Sequence, residues 1–318
     1  CRMSEPVGHH KYPERAEKHH QDPNNFCNPG ENIISKHLAV IYSGKTGPHC
    51  DLPDRIDDGH GAYVESACRT APGLEDHVHD GLHHAVRGLK AKARRAELDY
   101  PGKVASTVFT GGCNFRCPYC HNGDLVLNSA EMEEYTHDEI FDHLRKRKGT
   151  LGGVAITGGE PTLMQDLPEF IREVKDLGLN VKLDTNGTNP SMLKRLIDEK
   201  LVDYVAMDIK QSRLKYNEVA CMKSFDIKPI EQSVEILKTS NIDYEFRTTV
   251  AKELISVDDF KDIGEWIRGA KAYYLQPYKE SEQVITKGFS TYSALEFDDI
   301  KRLLGNYDIG NVSLRAMD

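Results

Sequence analysis

The chain has 318 residues, of which 39% are hydrophobic and 29% are charged, and its formal net charge is −9. No apolar run approaches the roughly 18–20 residues that a membrane-spanning helix needs. Residues 1–15 also lack the apolar segment of a secretory signal, so we expect a cytoplasmic protein without a membrane partner.

The negative charge lies entirely in the second part of the chain. Residues 1–96 carry 13 basic and 13 acidic side chains, whereas residues 97–318 carry 28 basic and 37 acidic ones. Because an acidic surface repels the phosphates of nucleic acids, we expect no nucleic-acid partner.

Residues 1–96 have the composition of an irregular, Cys/His-rich N-terminal extension. They hold 11 of the 14 histidines and four of the eight cysteines. The intervals between these cysteines match no ferredoxin or zinc finger. Four of the histidines could gather on one helical turn, but solvated histidines and free thiols are the commoner outcome. The two groups are Cys1, Cys27, Cys50 and Cys68, and His77, His79, His83 and His84. A second metal site is therefore the less favoured interpretation, and the role of the extension stays open.

From residue 97 onward, strand-like and helix-like segments alternate, which is typical of a parallel sheet with helical crossovers. Strands are predicted at 104–109, 153–157, 181–185, 203–209, 244–250 and 272–276, with a short last segment at 311–315.

Helices are predicted in the intervals between these strands. A capping box of Thr136 and Glu139 opens the first, Gly178 ends the second, and Ser256 caps one that runs to Ile267. Further helices are predicted near 191–200, 230–239 and 295–304. Six such units in about 220 residues favour an α/β fold with a partial, open (β/α)6 barrel over a closed barrel of eight units.

Three cysteines follow the first strand within GGCNFRCPYCHNG. Cys113, Cys117 and Cys120 form a C-x3-C-x2-C pattern. A structural zinc site needs four ligands, and the other cysteines are distant in sequence. His121 could be the fourth ligand, but it directly follows Cys120, which strains a tetrahedral arrangement. A [4Fe–4S] cluster can be held by three thiolates, which leaves one iron open to a substrate or cofactor. The pattern therefore favours an iron–sulfur cluster over zinc or inert thiols.

The stretch DYPGKVASTVFTGGCNFRCPYCHNGDL, residues 99–125, resembles the opening of radical S-adenosylmethionine (SAM) enzymes. Within that superfamily it is similar to activases of glycyl radical enzymes, such as those of anaerobic ribonucleoside-triphosphate reductase and pyruvate formate-lyase. The resemblance covers residues 97–318 and implies a radical SAM domain there. It also implies that SAM binds beside the cluster, next to Tyr119.

The second and later strands end in further residues that match this family. Gly158, Gly159 and Glu160 follow the second strand, and the resemblance implies that they hold the amino group of SAM. Glycines let backbone carbonyls approach an ammonium group, and a carboxylate can neutralise it. A tight turn with a solvated Glu160 is the alternative interpretation of the same residues.

Charged residues end the third and fourth strands, and another lies within the fifth. The resemblance implies that they bind the polar parts of SAM and allows a monovalent cation beside the two aspartates. Ordinary salt bridges between strand ends are the alternative, although parallel α/β folds place their sites at this edge. The residues are Asp184, Asp208, Lys210 and Arg247.

The resemblance implies that SAM is cleaved reductively to a 5′-deoxyadenosyl radical, which takes a hydrogen atom from a backbone glycine of a partner protein. An electron donor such as flavodoxin or ferredoxin is implied as well. Only Cys221 follows the motif, and no cysteine lies between residues 121 and 153, so neither an auxiliary cluster nor a ferredoxin-like insert is expected. This favours the ribonucleotide reductase type of activase.

Two alternatives stay open. One is a radical SAM enzyme that acts on a small molecule or a modified base. The other is a non-catalytic iron–sulfur protein that senses redox state. Formation of 5′-deoxyadenosine by the reconstituted protein would separate an enzyme from a sensor.

Overall fold

The computed structural model describes residues 92–94, 99–132 and 134–315. The cysteines and histidines of the predicted N-terminal extension lie outside these residues, as does its predicted irregular structure. The division of the chain at residue 97 stays a prediction.

The described strands form one sheet in which spatial order follows chain order. Strand β1 pairs antiparallel with β2, and β2 to β8 are all parallel. No pairing joins β8 to β1 in this sheet, so the predicted α/β fold with an open, partial barrel is confirmed. The strands are β1 Lys92–Arg94, β2 Ala105–Thr110, β3 Gly153–Gly158, β4 Asn180–Thr185, β5 Tyr204–Asp208, β6 Asp243–Val250, β7 Tyr273–Pro277 and β8 Val312–Leu314.

Helices connect the parallel strands. In the described part of the chain they are α1 Gly123–Leu127, α2 His137–Arg147, α3 Leu167–Asp176, α4 Pro190–Asp198, α5 Tyr216–Ala220, α6 Lys228–Thr239, α7 Asp259–Trp266 and α8 Ala294–Leu304. Short 3-10 turns occur at Ser129–Glu131, Pro161–Leu163, Arg213–Lys215 and Gly305–Tyr307. Among these described residues, none of the helices combines the length and apolar character needed to cross a membrane.

The helix ends mostly follow the predicted signals. The capping box of Thr136 and Glu139 opens α2, and Gly178 takes a φ of +77° just after α3. The predicted cap at Ser256 is wrong. The helix begins at Asp259, and no side chain caps its first turn. Ser256 instead donates to the Asp259 carboxylate through its backbone N–H and its hydroxyl.

Alternation along the strands separates an apolar core from a polar interior. In β4, Val181 and Leu183 are fully buried members of the apolar core. Asp184 alternates with them and faces a cavity at the carboxyl ends of the strands. Polar side chains that are distant in sequence therefore meet inside the curved sheet.

Candidate functional site

One cavity at the carboxyl ends of β2 to β7 brings together the eleven residues that the sequence assigned to the cluster and to SAM. These are Cys113, Cys117, Tyr119, Cys120, Gly158, Gly159, Glu160, Asp184, Asp208, Lys210 and Arg247. Their shared location supports one site, while the individual ligand roles stay predictions.

The cysteine loop, residues 111–123, joins β2 to α1. Hydrogen bonds to its own backbone hold this loop in shape. The Arg116 guanidinium donates to the backbone carbonyls of Cys113 and Phe115 at 2.6 and 2.7 Å. The Cys120 N–H donates to the Cys117 carbonyl at 3.0 Å. Cys117 is buried, while Cys113 and Cys120 are partly exposed to the cavity.

The loop after β4 braces the cysteine loop. Asn186 donates through its side-chain amide to the side-chain oxygen of Asn114 at 2.8 Å, and the Asn114 side-chain NH2 in turn donates to the Thr188 hydroxyl at 2.9 Å. The sulfur of Cys113 accepts weak hydrogen bonds from the Phe115 N–H and from Asn186, at 3.4 and 3.9 Å. Such N–H groups stabilise a thiolate that binds metal, so their presence fits an iron–sulfur ligand.

Three thiols in one loop suit a cluster, because each thiolate binds its own iron. Burial raises the pKa of all three thiols, that of Cys117 to about 12. The thiolates would therefore form through a bound cation rather than through the protein alone.

The turn after β3 packs directly against the cysteine loop. The Gly159 N–H donates to the Thr110 carbonyl at 2.8 Å, and the Glu160 N–H donates to the Gly112 carbonyl at 2.9 Å. A Cβ atom on Gly159 would lie 1.8 Å from the Gly112 carbonyl oxygen, so only glycine allows this approach. Gly158 has a φ of +118°, and its carbonyl accepts from the Asn122 side chain at 3.0 Å.

Glu160 is an internal anchor in this structure, contrary to its interpretation as a solvated acid. Its side chain is buried and accepts four hydrogen bonds: from the Thr162 N–H at 3.0 Å, the Thr162 hydroxyl at 2.5 Å, the Thr185 hydroxyl at 2.7 Å and the Asn186 N–H at 2.6 Å. Burial raises its pKa, and these donors oppose the rise. Glu160 thus ties the turn after β3 to the loop after β4.

The charged residues at the strand ends form a row of alternating sign, which we call the charge row. It runs in the order Lys182, Asp184, Arg247, Asp208 and Lys210. Arg247 bridges the two aspartates, donating to Asp184 at 3.1 Å and to Asp208 at 2.9 Å. Lys210 donates to the other oxygen of Asp208 at 2.9 Å. The side chains are at most one-quarter exposed, so this is not an ordinary solvated salt bridge.

Mutual attraction keeps Asp208 and Lys210 ionised, whereas burial lowers the pKa of Lys182 at the other end of the row. Burial alone would raise the pKa of Asp208, but Arg247 and Lys210 outweigh it and lower the pKa to about 2. Burial likewise opposes the ammonium of Lys210, yet Asp208 raises its pKa well above the usual range. The cavity wall therefore keeps fixed charges across the physiological pH range.

The Tyr119 ring faces the open end of the charge row. The Lys210 ammonium lies 6.0 Å from the ring centroid, and the buried Tyr119 hydroxyl has no hydrogen-bond partner among the described residues. An unpaired buried hydroxyl at a cavity wall is a natural contact for a polar ligand.

Sequence reasoning missed Lys182, Asn186 and Thr185. Lys182 stands two residues before Asp184 in a strand, so alternation alone could have placed both on the same face. Asn186 and Thr185 gave no such signal, because their partners are distant in sequence. Asn186 contacts residues more than 70 positions away, and Thr185 contacts Glu160, 25 positions away.

Comparison with known proteins places these features in context. A family model described as the radical SAM superfamily matches residues 107–267. The "Putative glycyl-radical enzyme activating enzyme" of Methanocaldococcus jannaschii is 36% identical over 227 residues, which cover 70% of this chain and 92% of that protein. The pyruvate formate-lyase-activating enzyme of Staphylococcus aureus is 35% identical over 137 residues, covering 40% of this chain and 52% of that enzyme.

A solved structure supports the fold alone. Streptococcus suis SuiB bound to precursor peptide SuiA superposes with a TM-score of 0.51 at 14% identity. The match covers 64% of this chain and 46% of SuiB. The shared architecture is therefore the partial barrel.

Proposed function

Because this chain belongs to the radical SAM superfamily, we propose that it uses SAM and a [4Fe–4S] cluster to install a glycyl radical on a partner enzyme, such as an anaerobic ribonucleotide reductase. Its similarity to a named activating enzyme extends over 92% of that relative's length, and this observation carries the proposal. The arrangement of the predicted site residues around one cavity supports it.

In this proposal the cysteine loop holds the cluster through Cys113, Cys117 and Cys120. When bound, the cluster and SAM supply a carbon radical that abstracts a hydrogen atom from the target glycine. Such a radical is quenched by stray donors, so the site must exclude water while the target enters. Cys117 and Tyr119 are both buried beside the charge row, which limits the access of water there.

The turn after β3, which packs against the cysteine loop, and the charge row are assigned to SAM. Gly158 and Gly159 line the cavity, and we assign them to the ammonium group of SAM. Glu160 is saturated by protein donors, so we assign it the role of holding this turn in place. Asp208 and Lys210 are assigned contacts with polar SAM groups, and Arg247 positions both aspartates.

A monovalent cation beside Asp184 and Asp208 fits this arrangement poorly. Every oxygen of the two carboxylates accepts a hydrogen bond from Lys182, Arg247 or Lys210. We infer that the basic side chains neutralise the aspartates in place of an ion. The affinity for SAM should then be the same in potassium and tetramethylammonium buffers, and a strict potassium requirement would contradict this inference.

The activase proposal is tested by adding the reconstituted protein, SAM and a reductant to a purified glycyl radical protein from the same organism, without oxygen. The expected result is a glycyl radical doublet in the EPR spectrum of the partner, together with 5′-deoxyadenosine. Reduced flavodoxin and reduced ferredoxin, compared with a chemical reductant, test which protein donates the electron.

The same assay distinguishes the other functions. A partner variant with alanine in place of the target glycine is the control and should give no protein radical. If 5′-deoxyadenosine forms but no glycyl radical protein of the organism acquires a radical, the activase proposal is rejected in favour of a small-molecule substrate. If no 5′-deoxyadenosine forms from a protein with an intact cluster, catalysis itself is rejected.

A further inference from the structure

The short helix α5, Tyr216–Ala220, contacts both the cysteine loop and the strand end that carries part of the charge row. Its last residue accepts a hydrogen bond from the cysteine loop, because the Arg116 N–H donates to the Ala220 carbonyl at 3.0 Å. Arg116 directly precedes Cys117. The helix is therefore joined to the loop that carries the predicted cluster ligands.

The first residue of α5 holds the end of β5. Tyr216 is fully buried, and its hydroxyl accepts from the Lys210 backbone N–H at 3.2 Å and donates to the Asp208 backbone carbonyl at 3.3 Å. In the described strands, the paired register of β4 with β5 ends at Thr185 and Met207. The Tyr216 hydroxyl thus binds the chain at the point where it runs beyond the neighbouring strand.

Three aromatic neighbours fix the Tyr216 ring. It stacks on Phe225 at a centroid distance of 5.6 Å and an interplanar angle of 12°. It packs edge to face against Phe115 and Trp266, at centroid distances of 6.3 and 6.0 Å. Phe115 belongs to the cysteine loop and lines the cavity. The ring therefore packs against the cysteine loop while its hydroxyl holds the end of β5.

The Tyr216 hydroxyl can influence a ligand only through its partners, because Tyr216 is not among the residues that line the cavity. Its two hydrogen bonds fix the backbone of Asp208 and Lys210, whose side chains do line the cavity. A side chain on a fixed backbone loses less conformational entropy when it contacts a ligand. Without the hydroxyl, a buried N–H and a buried carbonyl would lose this partner, and the strand end could shift.

We propose that Tyr216 is a positioning residue for SAM: its hydroxyl holds the end of β5 so that the Lys210 side chain lies in the cavity at a fixed distance from the cysteine loop. The inference rests on the proposed assignment of Lys210 to SAM, and on neither the protein target nor the electron donor. It gives α5 the role of a spacer between the cluster ligands and the residues that bind SAM.

The test is a SAM titration of the cluster-containing full chain, read from the EPR spectrum of the reduced cluster. Tyr216→Phe keeps the ring and removes only the hydroxyl, so it should raise the dissociation constant of SAM about three- to tenfold at full iron content. Tyr292→Phe is the matched control, because Tyr292 is also buried and its hydroxyl donates to the Ile255 carbonyl at 2.8 Å, outside the cavity. That variant should bind SAM as tightly as the unsubstituted protein.

A second titration in the Lys210→Met background separates positioning from general support of the fold. If the hydroxyl acts through Lys210, adding Tyr216→Phe to Lys210→Met should weaken SAM binding further by less than about twofold. An equal loss in both backgrounds would overturn the proposal, as would unchanged SAM affinity in Tyr216→Phe. Loss of the cluster in Tyr216→Phe would reject positioning in favour of structural support. Unchanged SAM affinity in Lys210→Met alone would reject the assignment of Lys210 itself, and the inference with it.

Discussion

Replacing Lys210 with methionine separates SAM binding from structural support. Lys210 donates to Asp208 at 2.9 Å, its side chain is 15% exposed, and its ammonium lies 6.0 Å from the Tyr119 ring centroid. Asp208 would keep its hydrogen bond from Arg247 at 2.9 Å, so the carboxylate is not left unpaired. We therefore expect a loss of about 1–2 kcal/mol in the free energy of unfolding, less than for a fully orphaned buried charge.

The expected loss in SAM affinity is larger. A charge-assisted contact contributes about 1.5–3 kcal/mol, which corresponds to a roughly ten- to hundredfold rise in the dissociation constant. The assay is a SAM titration of the reduced cluster by EPR, with iron content measured on the same sample. Lys238→Met, which removes a lysine of similar exposure paired with Glu235 on α6, is the control. Unchanged SAM affinity in Lys210→Met with full iron content would refute the assignment and weaken that of Asp208.

Four further predictions follow from the site. Alanine at any one of Cys113, Cys117 or Cys120 should abolish the cluster, measured as the loss of about four irons per chain and of 5′-deoxyadenosine formation. Stoichiometric zinc without iron–sulfur absorbance in the unsubstituted protein would contradict the cluster. Glu160 is surrounded by hydrogen-bond donors, so Glu160→Gln would direct its NH2 group at another donor. We expect this variant to lower the free energy of unfolding by about 1–3 kcal/mol, measured by denaturant titration. An unchanged free energy of unfolding would argue against Glu160 as an internal anchor. The pKa of Asp208 is lowered to about 2, so Asp208→Asn should lower the free energy of unfolding by about 2 kcal/mol at pH 7. The difference from the unsubstituted protein should shrink as the pH falls from about 4 towards 2, because Asp208 then becomes protonated. A difference that stays constant with pH would refute the contribution of the Asp208 charge to stability. A chain shortened to begin at Lys90 keeps β1 and every matched landmark, so it should still bind a cluster and cleave SAM; a folded but inactive product would place part of the site in the N-terminal segment.

Several features of this protein could be read directly from the sequence because they depend on neighbours along the chain. The C-x3-C-x2-C spacing, the alternation of strands and helices, and the capping box of Thr136 and Glu139 are local patterns. They were sufficient to predict the open barrel and the strand ends that carry Asp184 and Asp208. Helices α1 and α5 escaped prediction because five residues are too few to show a helical period.

Only the tertiary structure decided which charged groups share a partner. The sequence placed Glu160 beside two glycines, but its four donors come partly from the loop after β4, which no local pattern indicates. Arg247 bridges Asp184 and Asp208, and Lys182 joins the same row, because β4, β5 and β6 are neighbours in a defined register. The periodicity of a strand determines which face a side chain occupies, whereas sheet order and register determine which side chains from other strands lie opposite it.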